Sequence, residues 1–279
     1  MSQIVCTEQF STRVMILDAD KSDWNNSEAT VWDFDPFYNV AIPDDKLRHF
    51  GAMSEVKPVK NMTELLITAS GGAVALVRIA DGAVRFCEFA GGNTHSAELL
   101  PDGNIVTASS SGNYLRLFRV SEASHSDYEM PDAHGVVWDK KRGCLWSSGE
   151  YGIVRWEYDG RQLIHGEDFL VKPGTPFYGH DLFPVLGEDL LYLSGRALMF
   201  FDPGKGSFEE IYSGAPYIKS ISKSADGQVL VTTPKEHWWS DSVCRLDGEC
   251  VNIFRTKTNM RFYKARWMMP NCFSYDETI

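Results

Sequence analysis

The chain has 279 residues, of which 43% are apolar and 13% aromatic, enough to fill the interior of a closed fold of that length. Its formal net charge of −11, with a pI of about 5.1, argues against a broad phosphate-binding surface and so against nucleic acid as a partner. No run approaches the ~18 consecutive apolar residues of a membrane span. Residues 1–20 also lack the basic start and apolar stretch of a secretory signal, so the expectation is a cytoplasmic protein without a membrane partner.

In chain order, strands are predicted at Ile4–Glu8, Arg13–Asp18 and Ala29–Phe34, followed by a link over 39–51. Leu65–Ser70, Ala73–Ile79 and Val84–Phe89 are the next strands, the last two joined across Asp81-Gly82. The next unit repeats the layout with Asp102-Gly103 and the strand Tyr114–Val120. A third carries Gly135–Asp139, Cys144–Ser148 and Ile153–Tyr158, closed by Asp159-Gly160. Segment 94–109 and segment 218–233 read alike, each as strand, Asp-Gly turn, strand. Near the C-terminus only one strand is clear, Phe262–Met268, and the three N-terminal strands supply its missing neighbours.

A repeat of about 40 residues built from short strands predicts a β-propeller with one repeat per blade. The expected fold is therefore all-β: a six-bladed propeller in a single domain over 1–279. Its blades run at about 52–91, 92–131, 132–174, 175–214, 215–258, and 259–279 together with 1–38. The last blade is shared between the termini, which closes the ring and leaves no open sheet edge. The six cysteines include no Cys-x-x-Cys pair and mostly sit in apolar strands, the pattern of reduced thiols; Cys244 and Cys250 flank a turn and are the pair placed for a disulfide.

One polar residue recurs at a fixed place in each repeat: Lys57, His95, His134, His180, Lys219 and Lys264, at spacings of 38, 39, 46, 39 and 45 residues. In a propeller such residues form a ring at one mouth of the central channel. The loop between the second and third strand of each blade returns to that mouth and brings Glu8, Asn113, Glu150, Tyr151, Arg196 and Trp238. Tyr178, Tyr217 and Tyr263 precede ring residues and wall the pocket. This mixture of cations, carboxylates, amide and aromatic rings suits a small anionic or carbohydrate-derived ligand, and the protein is expected to act as a monomer.

Three histidines on consecutive blades have two readings. Neutral imidazoles can hold one divalent ion (Mn, Zn or Ca) with an open position for substrate; alternatively each bonds channel water and backbone, and no cofactor is held. Lys219 and Lys264 are the candidate general bases, since cationic neighbours lower an ammonium pKa. Lys57 belongs to the ligand-binding set. No Gly-x-Ser-x-Gly elbow, phosphate loop or dinucleotide fingerprint is present.

The repeat length and strand pattern resemble the propeller superfamily of tryptophan-aspartate repeat and quinoprotein-like proteins. They also resemble a group of bacterial six-bladed propellers, a likeness that implies a fold and no particular activity. The Trp32-Asp33 and Trp138-Asp139 dipeptides sit at non-equivalent strand positions, so the likeness is architectural. A further analogy is to oligogalacturonate lyases, propellers that hold a metal with several histidines and abstract the proton beside a uronate carboxylate. It implies that His95, His134 and His180 hold the ion and that Lys219 or Lys264 is the base, in lyase or isomerase-type chemistry on a sugar acid. The competing expectation is a non-catalytic scaffold that binds a protein through exposed aromatics such as Trp24, Phe37 and Tyr38.

Overall fold

In the computed structural model, which describes residues 2–215 and 217–278, six four-stranded antiparallel sheets are arranged as the blades of a propeller. In five blades the strands follow in sequence order; in the sixth the order is Phe262–Trp267, Gln3–Glu8, Arg13–Asp18, Thr30–Phe34. Ile4 pairs with Trp267 and Cys6 with Ala265, so the two termini close the ring as expected. Among the described residues no helix is long and apolar enough to cross a bilayer.

The strands form where β-branched and aromatic residues alternate, and they break at Asp-Gly turns. Gly103 and Gly227 illustrate why: their φ angles are +87° and +84°, and an added Cβ would meet no atom within 4 Å. Backbone conformation rather than space demands glycine there. Six buried apolar clusters hold the ring, one at each junction between neighbouring blades. Trp24 belongs to one of them. It is fully buried edge-on against Phe262 and donates from Nε1 to the Asp18 carbonyl at 2.9 Å, so it is a core residue and not an exposed binding aromatic. All six cysteines are free thiols, Cys244 and Cys250 included.

The channel is filled by charge. Glu55, Asp181, Lys264 and Arg266 are fully buried and bonded to one another. Lys264 Nζ donates to Glu55 Oε2 at 2.9 Å, to Asp181 Oδ1 at 3.0 Å and to the His95 carbonyl at 3.2 Å. Arg266 bridges the same carboxylates, at 2.7 Å to Asp181 Oδ1 and 2.9 Å to Glu55 Oε1, with its guanidinium 3.9 Å from the centre of the Phe183 ring. Further along the axis Lys57 Nζ is paired with Glu98 at 2.9 Å, and Tyr275 Oη donates to the same carboxylate at 2.5 Å. Tyr275 lies on the C-terminal segment. That segment crosses the mouth where the inner strands end, bonded through Lys140 to the Tyr275 carbonyl and through Glu277 to the Asn61 amide.

Two ring expectations are thereby corrected. A register shift falls between Met53 and Glu55, as it does between Thr94 and Ser96 beside His95, and Lys57 lies well inside the channel because it comes five residues after the left-handed Ala52 and not two. Ser54 stands at the mouth position instead, buried against Thr68 and the Thr94 carbonyl. A further shift between Cys6 and Glu8 puts Tyr263 rather than Lys264 at the mouth of the sixth blade. Lys264 has all three of its N–H groups committed to buried acceptors and is no candidate base.

Burial alone would push the Asp181 carboxyl up, but Arg266 and Lys264 outweigh it and hold it below the usual carboxylate range. Lys264→Met strands part of the negative charge in a site without water. It is expected to lower the unfolding free energy by about 3–5 kcal/mol in urea titrations, the range for breaking a buried pair. Because the Asp181 pKa is depressed by folding, its contribution is complete above the unfolded value near ~4 and is lost as pH falls below it. The difference between wild type and variant should therefore shrink toward acid.

Candidate functional site at the open mouth of the channel

Each mouth residue is delivered by the same local turn. The residue two positions earlier is left-handed although it is not glycine: Asn93 (φ 54°) before His95, Asp132 (φ 52°) before His134, Tyr178 (φ 55°) before His180 and Tyr217 (φ 62°) before Lys219. Such a conformation is costly and persists only where neighbours fix it. Here each N–H is held by the loop between second and third strands of the preceding blade. Asn93 donates to the Ser70 carbonyl, Asp132 to Asn113 Oδ1 at 2.9 Å, Tyr178 to the Glu150 carbonyl and Tyr217 to the Gly195 carbonyl. The turn reverses the chain so that the next inner strand starts with its first side chain over the axis.

Four of the six expected ring residues meet there. The His95 and His134 rings are stacked with centroids 4.6 Å apart, and His180 meets His134 edge-on at 5.1 Å. Lys219 Nζ lies 3.2 Å from His180 Nε2 and 5.8 Å from the centre of the Tyr263 ring. Tyr263 Oη is 3.2 Å from His95 Nδ1, and His134 Nδ1 donates to the Asp132 carbonyl at 2.8 Å. That last bond fixes the His134 tautomer and leaves Nε2 as the acceptor. Within this face a cleft of about 530 Å³ opens between the fourth and fifth blades, lined by His180, Tyr217, Lys219, Thr233, Pro234 and His237.

All three imidazoles are kept neutral. Burial lowers His134 to about 4 and His180 to about 2, the latter helped by Lys219, and drives His95 well below its ordinary value with help from His134 and Lys264. Burial, then the Lys264 ammonium, bring Lys219 down to about 8. Asp132 moves the other way: burial and then Glu150 raise its carboxyl to about 6.

The rings converge, yet among the described residues no group of three or more His, Cys, Asp or Glu side chains is disposed to hold a metal ion. The reason is visible in the contacts. Two of the rings are stacked face to face, and the Nε2 of the third is taken up by Lys219. The donor set of His95, His134 and His180 therefore does not fit the expected divalent ion, and the analogy to oligogalacturonate lyases loses its main support.

Of the expected ligand-binding set, Asn113, Glu150, Tyr151, Tyr178, Arg196 and Trp238 lie on loops of this face. Arg196 sits over the Tyr178 ring at 5.4 Å, and the half-exposed Trp238 is steadied by a 2.9 Å bond to Gln9. Glu8 does not belong with them. Its carboxylate is buried and accepts from the amides of Phe10, Ser11 and Arg261, fixing a hairpin. Asp132, with its raised carboxyl beside the imidazoles, escaped the sequence reading. Its position two residues before His134, the slot filled elsewhere by Asn93, Tyr178 and Tyr217, was the available signal.

Fold and mouth together define a six-bladed β-propeller whose open end carries a buried imidazole cluster. The chain belongs to the family described as "Family of unknown function (DUF6528)", whose model matches residues 2–279. No curated protein matches it in sequence. Among solved structures, a protein of unknown function from Bacteroides caccae is similar with a TM-score of 0.61 at 12% identity, over 96% of this chain and 99% of that one. Virginiamycin B lyase from Staphylococcus aureus gives a TM-score of 0.53 at 13% identity, covering 75% of this chain and 71% of the lyase. The RRP9 WD40 repeats give 0.58 at 16%, covering 88% and 75%. At these identities the likeness is one of fold alone, the propeller architecture that the repeats predicted.

The neutral histidines predict a pH signature. A His whose pKa falls on folding binds fewer protons folded than unfolded, so stability rises with pH across the window between the two values. For His134 that window runs from about 4 to the ordinary 6.5. Within it the group contributes a slope on the order of 1.4 kcal/mol per pH unit. His134→Asn should flatten the pH dependence of urea unfolding there and leave it unchanged above pH 7.

Proposed function

We propose that the open mouth binds a small anionic, polyhydroxylated molecule of the sugar-acid class, and that Lys219 acts on it as a general base. The observation that carries this reading is the state of Lys219. It is buried beneath the cleft, has no carboxylate within ion-pairing distance among the described residues, and is brought down to about 8 by burial and by Lys264. At neutral pH most of the population carries the proton and attracts a carboxylate, and a usable fraction is free amine. Around it stand uncharged imidazoles and tyrosines, which accept and donate hydrogen bonds to hydroxyls without competing for the anion. Arg196 and the exposed face of Trp238 extend the surface toward solvent, the latter as a stacking platform for a sugar ring.

In this scheme Lys219 Nζ removes the proton from the carbon next to the bound carboxylate. His180 Nε2, 3.2 Å away, holds the amine in place. His134, locked through Nδ1, offers Nε2 to a substrate hydroxyl. That virginiamycin B lyase is one of the similar propellers accords with such chemistry at the level of fold only.

A second reading rests on the link into the first blade. Phe37 and Tyr38 are 52% and 84% exposed, side by side on an outer loop, as a protein-binding scaffold would present them. Thermal unfolding separates the two. Saturating D-galacturonate or D-glucuronate is expected to raise the melting temperature by roughly 5 °C while galactose does not, a shift lost in Lys219→Met. No shift of the wild type with either acid overturns the pocket reading and leaves the scaffold.

A further inference from the structure

Two lysines stand close to each other, Lys219 at the mouth and Lys264 in the layer of paired charges beneath it, and they are treated in opposite ways. Lys264 spends every N–H on Glu55, Asp181 and the His95 carbonyl. Among the described residues Lys219 is given no carboxylate. It is 7% exposed, it opens on the cleft of about 530 Å³, and the one side chain bonded to its Nζ among those residues is the His180 ring. An ammonium kept only to hold an anion gains from exposure and from flexible reach. An amine buried beside another cation and a neutral base is instead arranged as a nucleophile. His180 adds a second indication: its Nδ1 is buried without a partner among the described residues, so the ring is positioned by packing and by the contact of Nε2 with Lys219. Such a ring is free to change which nitrogen carries the proton.

We propose that Lys219 forms an imine with the carbonyl carbon of its substrate, so that the ligand class is an oxo acid or the open-chain form of a sugar acid. This rests on the reading that the cleft holds a small acid, and it makes Lys219 the nucleophile in place of the general base. The Nζ lone pair forms the C–N bond while the carbonyl π pair moves to oxygen, which takes up a proton. One N–H proton passes to His180 Nε2 and is returned to the departing hydroxyl, which leaves as water. Amine, carbonyl and the one proton taken up by the oxygen thus give the protonated imine and water, with no oxidant or reductant. Tyr263, with its ring centre 5.8 Å from Lys219 Nζ and its Oη 3.2 Å from His95 Nδ1, is the hydroxyl in this scheme that hands the carbonyl oxygen its proton.

The test uses the intact protein, pyruvate as the probe and sodium cyanoborohydride to reduce any imine. Peptide mapping by mass spectrometry is expected to find one reduced adduct per chain, on Lys219. Its labelling should exceed that of the open Lys205 at least tenfold and be absent from Lys219→Gln. Adduct spread over exposed lysines, or none at all, overturns the proposal; because the map is made on wild type, poor folding of the variant does not blur it. Melting curves with pyruvate and with D-lactate, which keeps the carboxylate but lacks the carbonyl, separate the two levels of inference. Stabilisation by both acids without an adduct removes the imine and leaves the anion pocket. Neither stabilisation nor adduct removes both.

Discussion

Two carboxylates and two cations that no water reaches sit where six blades meet. Glu55 comes from the first blade, Asp181 from the fourth, and Lys264 and Arg266 from the sixth, so the quartet ties strands on opposite sides of the axis. The apolar clusters act only between neighbouring blades. Hydrophobic contact is tolerant of small rotations and slips, whereas two bridging carboxylates are not, because a charge displaced here has no solvent to turn to. The quartet therefore fixes how the first, fourth and sixth inner strands stand against one another, and the mouth geometry follows from that alignment.

The same quartet sets the chemistry above it. Its cations balance its carboxylates, yet the Lys264 ammonium lies nearest to the imidazoles and bonds the His95 carbonyl directly. A positive charge beneath a buried ring opposes protonation of that ring, and burial acts in the same direction on all three histidines. Lys219 feels both influences. An acidic protein thus carries at its open mouth a patch that is neither acidic nor strongly basic. The acid pair Asp132 and Glu150 stands at its margin, where solvent still reaches.

The architecture was legible because its signals are local and repeat. Asp-Gly turns mark hairpins through the φ that only glycine takes easily, and the shortage of strands at one terminus matched the surplus at the other. The ring was legible only in part. His95, His134, His180 and Lys219 follow a left-handed turn with constant offset, so counting along the sequence found them. Lys57 comes five residues after the left-handed Ala52 instead of two, and beside Lys264 a register shift hands the mouth position to Tyr263. A bulge leaves no mark in the residue pattern. Trp24 went astray for a related reason: a polar neighbourhood, Ser22 to Asn26, gives no hint that the indole turns inward to an apolar junction. The hydrogen bonds that separate Lys219 from Lys264 arise between blades far apart in sequence, and spacing carries no record of them.

The two ends of the channel are not equivalent, and that narrows what the mouth can be. At the far end the C-terminal segment crosses the axis, and Tyr275 is anchored on the carboxylate that Lys57 neutralises. Midway the quartet fills the cross-section with bonded charge. Among the described residues both layers are occupied by buried, bonded side chains. The far boundary of the mouth is a rigid floor whose charges are already paired, and little attraction remains there for an anion. What remains to recognise a ligand is the rim, with Arg196, Tyr178, Tyr217 and Trp238, and the one amine that the floor does not claim.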